Sequence, residues 1–275
     1  MTKRRILLTV ALGFLLFAQR IGSATNSATE IHAIVEVKES CLIGGVQNQR
    51  WVDADRFAKS LTTKQTFNLY KLEGPAGVIR IDKIGRDSEC GDEWTAEGPS
   101  TAKEGVAISS PSWEVMPRLP RAIDLKDTTY VNVVSEILKH AGIAKPIVNI
   151  TQGYKIDLDG DGKDEVVIIA SRFAQGVGEL SGVSHPTSPG DYSLVLVRKI
   201  ISNRVQNIFV VKDVWFKEND GTLPRGYHLS AIADLNGNGV MELILYNAYH
   251  EGSASDVIEI NGTKASSVLE CACEH

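Results

Sequence analysis

Apolar positions along the chain follow two rhythms, and the change between them divides it. From about Thr29 to Pro120, short alternating runs predict strands at Ile31–Val37, Phe67–Leu72, Val78–Ile84 and Val106–Ser109, punctuated by Gly-Gly and Gly-Pro pairs. One short helix is expected among them, Asp53–Leu61, with Asp53 as N-cap and Ala54, Phe57, Ala58 and Leu61 on one face. Met116-Pro117-Arg118-Leu119-Pro120 reads as an extended connector, because each proline pushes its predecessor out of helical geometry. It separates a β-rich domain of residues 25–120 from a second domain of residues 121–275.

The second domain opens on a helix of residues 128–141 capped by Asp127, with Val131, Val134, Leu138 and Ala141 as its apolar stripe and Lys139, His140 and Gly142 as its last turn and stop. After it only strands are expected. Ile147–Ile156, Glu165–Ser171, Ser193–Ile200 and Val205–Trp215 form one group of four, its last pair joined through Ser202-Asn203. Tyr227–Ala233, Glu242–Tyr249, Asp256–Ile260 and Thr263–Glu270 form another, closed by the hairpin signal Asn261-Gly262.

In each group the first strand runs into a loop rich in aspartate, asparagine and glycine. The first reads Asp157-Leu158-Asp159-Gly160-Asp161-Gly162-Lys163-Asp164-Glu165 and the second Asp234-Leu235-Asn236-Gly237-Asn238-Gly239-Val240-Met241-Glu242. Equal strand counts with the same loop at the same place predict two copies of one supersecondary unit. Calcium takes six to eight oxygen ligands, so acceptors at alternate positions of a tight loop suit it. In the first loop Asp157, Asp159, Asp161 and Glu165 offer side chains and Lys163 its backbone carbonyl. Asp234, Asn236, Asn238 and Glu242 are the counterparts in the second, with the carbonyl of Val240. Two asparagines lower the formal ligand charge from -4 to -2, so the second loop is expected to bind more weakly or not at all. The competing reading is a hairpin held by Asn and Asp side chains without metal.

An EF-hand would need a bidentate Glu at its twelfth position, where Ile168 stands, and helices on both sides. The pattern Asp-hydrophobic-Asp/Asn-Gly-Asp/Asn-Gly-x-x-Glu-hydrophobic, occurring twice between about Ile147 and Glu270, instead resembles the calcium loops of FG-GAP or VCBS-type repeats of integrin alpha subunits and exported bacterial proteins. That resemblance implies four-stranded, antiparallel, propeller-blade-like repeats. Two blades cannot close a propeller. Either the N-terminal strands supply further blades, or the two sheets pack on each other and on the helix; the second arrangement is the expectation. The fold class is thus mainly β with a few helices.

Charge and the chain's start add a compartment. Lys3, Arg4 and Arg5 precede the apolar run Ile6–Ala18, and Gly22-Ser23-Ala24 supplies small residues for cleavage, which together predict a signal peptide over residues 1–24. The apolar core is too short to span a bilayer. The chain has 275 residues and a net charge of -5; without the leader, 25 basic residues face 34 acidic ones, a poor balance for nucleic-acid binding. Export to an extracytoplasmic, periplasmic or secreted location suits the even number of cysteines, with Cys41–Cys90 the favoured disulfide and Cys271 and Cys273 vicinal, free or cross-linked elsewhere. A sharper alternative places Cys271, Cys273 and His275 on one strand face as ligands for zinc or copper.

Catalytic patterns are missing from the sequence. There is no Gly-x-Ser-x-Gly elbow and no phosphate-binding Walker loop, and His250-Glu251 lacks the second histidine of a zinc protease helix. The Gly-rich segment Ala174–Asp191 has no helix after it to cradle a phosphate. Two functions follow as expectations. The first is an exported, non-enzymatic calcium-binding protein with a structural, adhesive or envelope-associated role and a protein or glycan partner. The second is an exported hydrolase that uses the repeats as scaffold, with Trp51, Trp94 and Trp113 lining a sugar-binding face.

Overall fold

The computed structural model describes residues 30–88, 90–99, 102–174, 187–218, 224–250 and 252–274. The signal peptide expected over residues 1–24, most of the segment Ala174–Asp191 and His275 lie outside them. The described chain is mainly β, with a single α-helix.

The first strands are β1 (His32–Glu36), β2 (Cys41–Gln47), β3 (Arg50–Val52), β4 (Gln65–Lys71), β5 (Gly74–Ile81), β6 (Lys83–Asp87), β7 (Glu93–Glu97) and β8 (Val106–Ser109). They form one antiparallel sheet in the order β5-β4-β8-β1-β2-β7-β6, with β3 paired on β2. After the short β9 (Arg121–Ala122) comes α1 (Thr128–His140), whose Asp127 cap accepts a hydrogen bond from the Thr129 N–H. The first repeat is β10 (Ile150–Ile156), β11 (Glu165–Arg172), β12 (Tyr192–Ile201) and β13 (Arg204–Val214), and β9 adds a fifth strand at its edge. The second is β14 (Gly226–Ala233), β15 (Glu242–Tyr249), β16 (Gly252–Asn261) and β17 (Lys264–Glu274). All eight strands expected of the repeats are present. Their turns also match: Ser202 and Asn203 both take positive φ, as does Gly262, the backbone that a two-residue hairpin demands.

The sheets stack in layers. Ile156, Val167, Ile169, Val195 and Val197 of the first repeat pack on Leu229, Ile232, Leu243, Leu245 and Ile258 of the second. On its other side the second repeat presents Ala231, Ala233, Ile244, Val257 and Leu269 to Ile34, Ile43, Val46 and Ile108 of the large sheet. The outer face of the first repeat, Ile168, Ala170, Leu194 and Leu196, receives Val134 and Leu138 of α1. Ile156, Val167, Leu158 and their counterparts Ala233, Ile244 and Leu235 lie on corresponding faces, yet the first set meets the second repeat and the second set meets the large sheet. The repeats therefore stack head to tail. This also explains why β15 is buried along its whole length: covered on both faces, it carries the run Leu-Ile-Leu-Tyr instead of an alternation.

Two expectations are corrected. Asp53–Leu61 is not a helix but two 3-10 turns, Ala54–Arg56 and Ala58–Ser60, broken at Phe57 with φ near -140°. An isolated nine-residue helix is marginal, and burying Ala54, Phe57 and Ala58 in the outer core of the large sheet favours tighter local turns. The disulfides are Cys41–Cys271 and Cys90–Cys273, not Cys41–Cys90, and none of the four thiols is free to ligate a metal. Alternate residues of a strand share a face, so β17 turns both its cysteines toward the large sheet, where Cys41 on β2 and Cys90 in the β6–β7 turn meet them. The bridges close loops with sequence separations of 230 and 183 residues, each of which in the chain-entropy account stabilises the fold by about 5 kcal/mol.

Candidate metal centre

The two acidic loops share one backbone. In the first, Asp157 Oδ1 accepts hydrogen bonds from the N–H groups of Gly160 (2.8 Å) and Asp161 (3.1 Å), and its Oδ2 from that of Gly162 (3.0 Å). In the second, Asp234 Oδ1 accepts from Gly237 (2.7 Å) and Asn238 (3.1 Å), and Oδ2 from Gly239 (2.8 Å). Glu165 Oε2 accepts from the Leu158 N–H and Glu242 Oε2 from the Leu235 N–H, both at 2.8 Å. The loop glycines hold φ of 74° and 84° in the first copy and 73° and 87° in the second, the left-handed region that a Cβ disfavours. Leu158 and Leu235 are each buried beneath their loop. The opening aspartate is thus first of all a staple, and it keeps lone pairs to spare, since a carboxylate has about four acceptor sites.

In the first loop Asp157, Asp159 and Glu165 bring one carboxylate oxygen each within 4.8 Å of one another, and this triad could hold a metal ion. Asp161 stands apart from it: its carboxylate accepts from the Lys163 backbone N–H (2.8 Å) and pairs with Lys163 Nζ (3.0 Å), which holds its pKa below the usual carboxylate range. The donor set of the triad suits a hard cation. One oxygen of Asp159, Oδ1, is buried without a hydrogen-bond partner, an uncompensated acceptor of the kind a cation would satisfy.

Residues outside the motif complete both loops. Lys199 of β12, itself buried, places Nζ 2.5 Å from Asp159 Oδ2 and 3.7 Å from Glu165 Oε1. In the first repeat Val166 pairs with Arg198, and in the second Leu243 pairs with Ile258. One step further along, Lys199 and Glu259 therefore occupy equivalent positions beside Glu165 and Glu242. The second loop has a glutamate where the first has an ammonium. Glu259 Oε1 accepts from Trp51 Nε1 (2.8 Å), and Asn236 Nδ2 lies 3.3 Å from Glu242 Oε1 and 3.4 Å from Glu259 Oε1.

Surroundings set the charge states apart. Burial pushes the Glu242 carboxyl up to about 9, with the charges of Asp234 and Glu259 adding to the rise and the Leu235 N–H opposing it. Burial also raises Glu165, but there Lys199 opposes the shift. Asp234 is raised by burial against its three backbone donors. Asn238 accepts from the Val240 N–H through its side chain and sits on the exposed rim of the second loop.

The segment of residues 111–120, which ends in the Met116–Pro120 connector, ties the loops to each other and to the large sheet. Trp113 donates to the Asp234 carbonyl (2.8 Å) and Val115 accepts from the Asp234 N–H (2.8 Å). Arg118 donates to the carbonyls of Asp157 (2.5 Å) and Leu158 (3.2 Å) in one loop and of Gly239 (2.7 Å) in the other. A Cβ on Gly237 would come within 2.9 Å of the Trp113 ring, so that glycine is required by a close approach as well as by its φ. Trp94, by contrast, is buried in the large sheet and donates to Asp55. Each of the three tryptophans is engaged by an internal hydrogen bond, two of them at the second loop. Sequence reasoning missed Lys199, Glu259 and Arg118. Only Lys199 left a signal: it shares strand parity with Val195 and Val197 and breaks an otherwise apolar face.

Compared with protein-family models, with curated proteins and with solved structures, the chain matches none of them. Among the described residues no helix is long and apolar enough to cross a membrane, and the two disulfides suggest an oxidising compartment.

Proposed function

We propose that this is an exported, non-enzymatic protein of the FG-GAP or VCBS repeat type, in which the first acidic loop takes up calcium and stiffens a stack of sheets serving adhesion, envelope attachment or structure. The partner in this reading is a protein or an envelope glycan. The observation that carries it is the triad of Asp157, Asp159 and Glu165 within 4.8 Å, on a loop whose backbone recurs in the second repeat. Two features support the repeat reading. Each unit is built on four consecutive antiparallel strands, with β9 added at the edge of the first, and the units stack head to tail as successive blades would. The disulfides and the leader of residues 1–24 support export.

Calorimetry of the purified full chain tests the metal. A ligand that binds only the folded state stabilises it by about 2.7 kcal/mol at one hundred times its dissociation constant, so calcium raises the unfolding temperature and Asp159→Ala removes most of the rise. Coincident melting curves in calcium and in chelator would end the proposal.

A further inference from the structure

We propose that Lys199 is a tethered cation for the first loop: its ammonium compensates Asp159 and Glu165 in the metal-free chain and must leave before a divalent cation can enter. The inference rests on the cation-binding reading of that loop and adds what regulates it.

Lys199 lies on the face of β12 that also carries Val195 and Val197, and it is buried. Burying an ammonium is costly unless carboxylates compensate it, and the carboxylates within reach are two of the three that form the triad. Nζ contacts Asp159 Oδ2 and Glu165 Oε1, so it engages two of the three carboxylates that an ion in this cluster would share. One ammonium with three donors is an incomplete substitute for an ion with six or more ligands, and the unpartnered Asp159 Oδ1 is the remainder. Two cations cannot share those oxygens. The lysine stem is flexible, and Asp159 is partly exposed, so the ammonium has a route to water.

The second repeat provides the internal control. With nearly the same backbone it carries Glu259 at the equivalent position, so a lysine there is not required to build the loop.

Calcium titration calorimetry on the full-length wild type, Lys199→Met, Lys199→Gln and Asp159→Ala tests the idea, together with melting curves in chelator. The expected result is that both Lys199 variants bind calcium about tenfold or more tightly than wild type, the scale of losing one charge-assisted hydrogen bond as a competitor. Both should also melt lower than wild type in chelator and recover in calcium. If wild type and Lys199 variants bind with equal affinity while Asp159→Ala does not bind, the tethered-cation idea is overturned and the calcium reading stands. If neither wild type nor the Lys199 variants bind, both fall. Should Lys199→Met unfold in chelator, folding on addition of calcium supports the proposal; failure to fold in millimolar calcium, with Lys199→Gln binding no tighter than wild type, overturns it.

Discussion

The two acidic loops are alike in backbone and opposite in surroundings. Each is stapled by its opening aspartate, turned by two glycines and closed by a glutamate that returns to the N–H one residue after the staple. The first projects into solvent at Asp161 and Gly162 and holds a lysine among its acids. The second is roofed by Gln49, Trp51 and Trp113 and has Asp234, Asn236 and Glu242 buried. The difference teaches that the motif specifies a shape, while the charge state of that shape is set by what the neighbouring layer brings. Where the large sheet covers the loop, Asn236 is a buried amide, Asn238 stands on the rim, and the Glu242 carboxyl is pushed toward its protonated form. Where water reaches it, the acids remain and an ammonium compensates them.

The largest expected effect probes the staples. Asp234→Ala removes the acceptor of the Gly237 and Gly239 N–H groups, leaves the Asn238 N–H only the Asn236 side chain, and should cost on the order of 3 kcal/mol in urea denaturation. Asp157→Ala should cost about half of that, because solvent can take over the freed donors. Equal losses would mean that burial does not distinguish the loops.

Next in size is the pH dependence in chelator. The unfolded chain ionises a glutamate near its ordinary value of 4.5, whereas folded Glu242 keeps its proton until about 9. Stability from this group is therefore full below about pH 4.5 and is lost as pH rises toward 9. Glu36, buried and pushed up to about 7 against the N–H groups of Glu39 and Lys38, acts in the same direction. Wild type should thus be more stable at pH 5 than at pH 8, and Glu242→Gln should recover about 1–3 kcal/mol of the difference. Glu165→Gln should recover less, since Lys199 already favours its ionised form. A steeper pH slope in Glu242→Gln than in wild type would reverse the assignment.

The smallest effect concerns what joins the loops. Arg118→Ala should cost about 1 kcal/mol, and its signature is faster hydrogen exchange in both loops at once, read at the amides of Asp161 and Met241. The Met241 amide bonds the Leu158 carbonyl that Arg118 also holds. Exchange that quickens in one loop alone would show that they are independent.

Much of this was legible residue by residue. The alternation of Val and Ile, the hairpin pairs Ser202-Asn203 and Asn261-Gly262, the Asp127 cap and the doubled Asp-Gly loops each act over a few residues, so the repeats and their strand order could be read directly. Among the strands that escaped, Cys41–Gln47 is buried on both faces and lacks alternation, while Lys83–Asp87 is largely polar. Asp53–Leu61 misled because helical spacing and two 3-10 turns place the same apolar residues toward a core.

The sequence by itself determined the local units: which residues alternate, where the chain turns, and that Asp157 and Asp234 would staple their loops. Only the tertiary structure decided that Cys271 and Cys273 meet Cys41 and Cys90, that Lys199 enters one loop and Glu259 the other, and that one loop is roofed. Periodicity and turn chemistry are settled within a few bonds. The choice of partner for a charge or a thiol depends on which sheet stacks against which, and that is fixed by burying apolar faces more than a hundred residues apart in the chain.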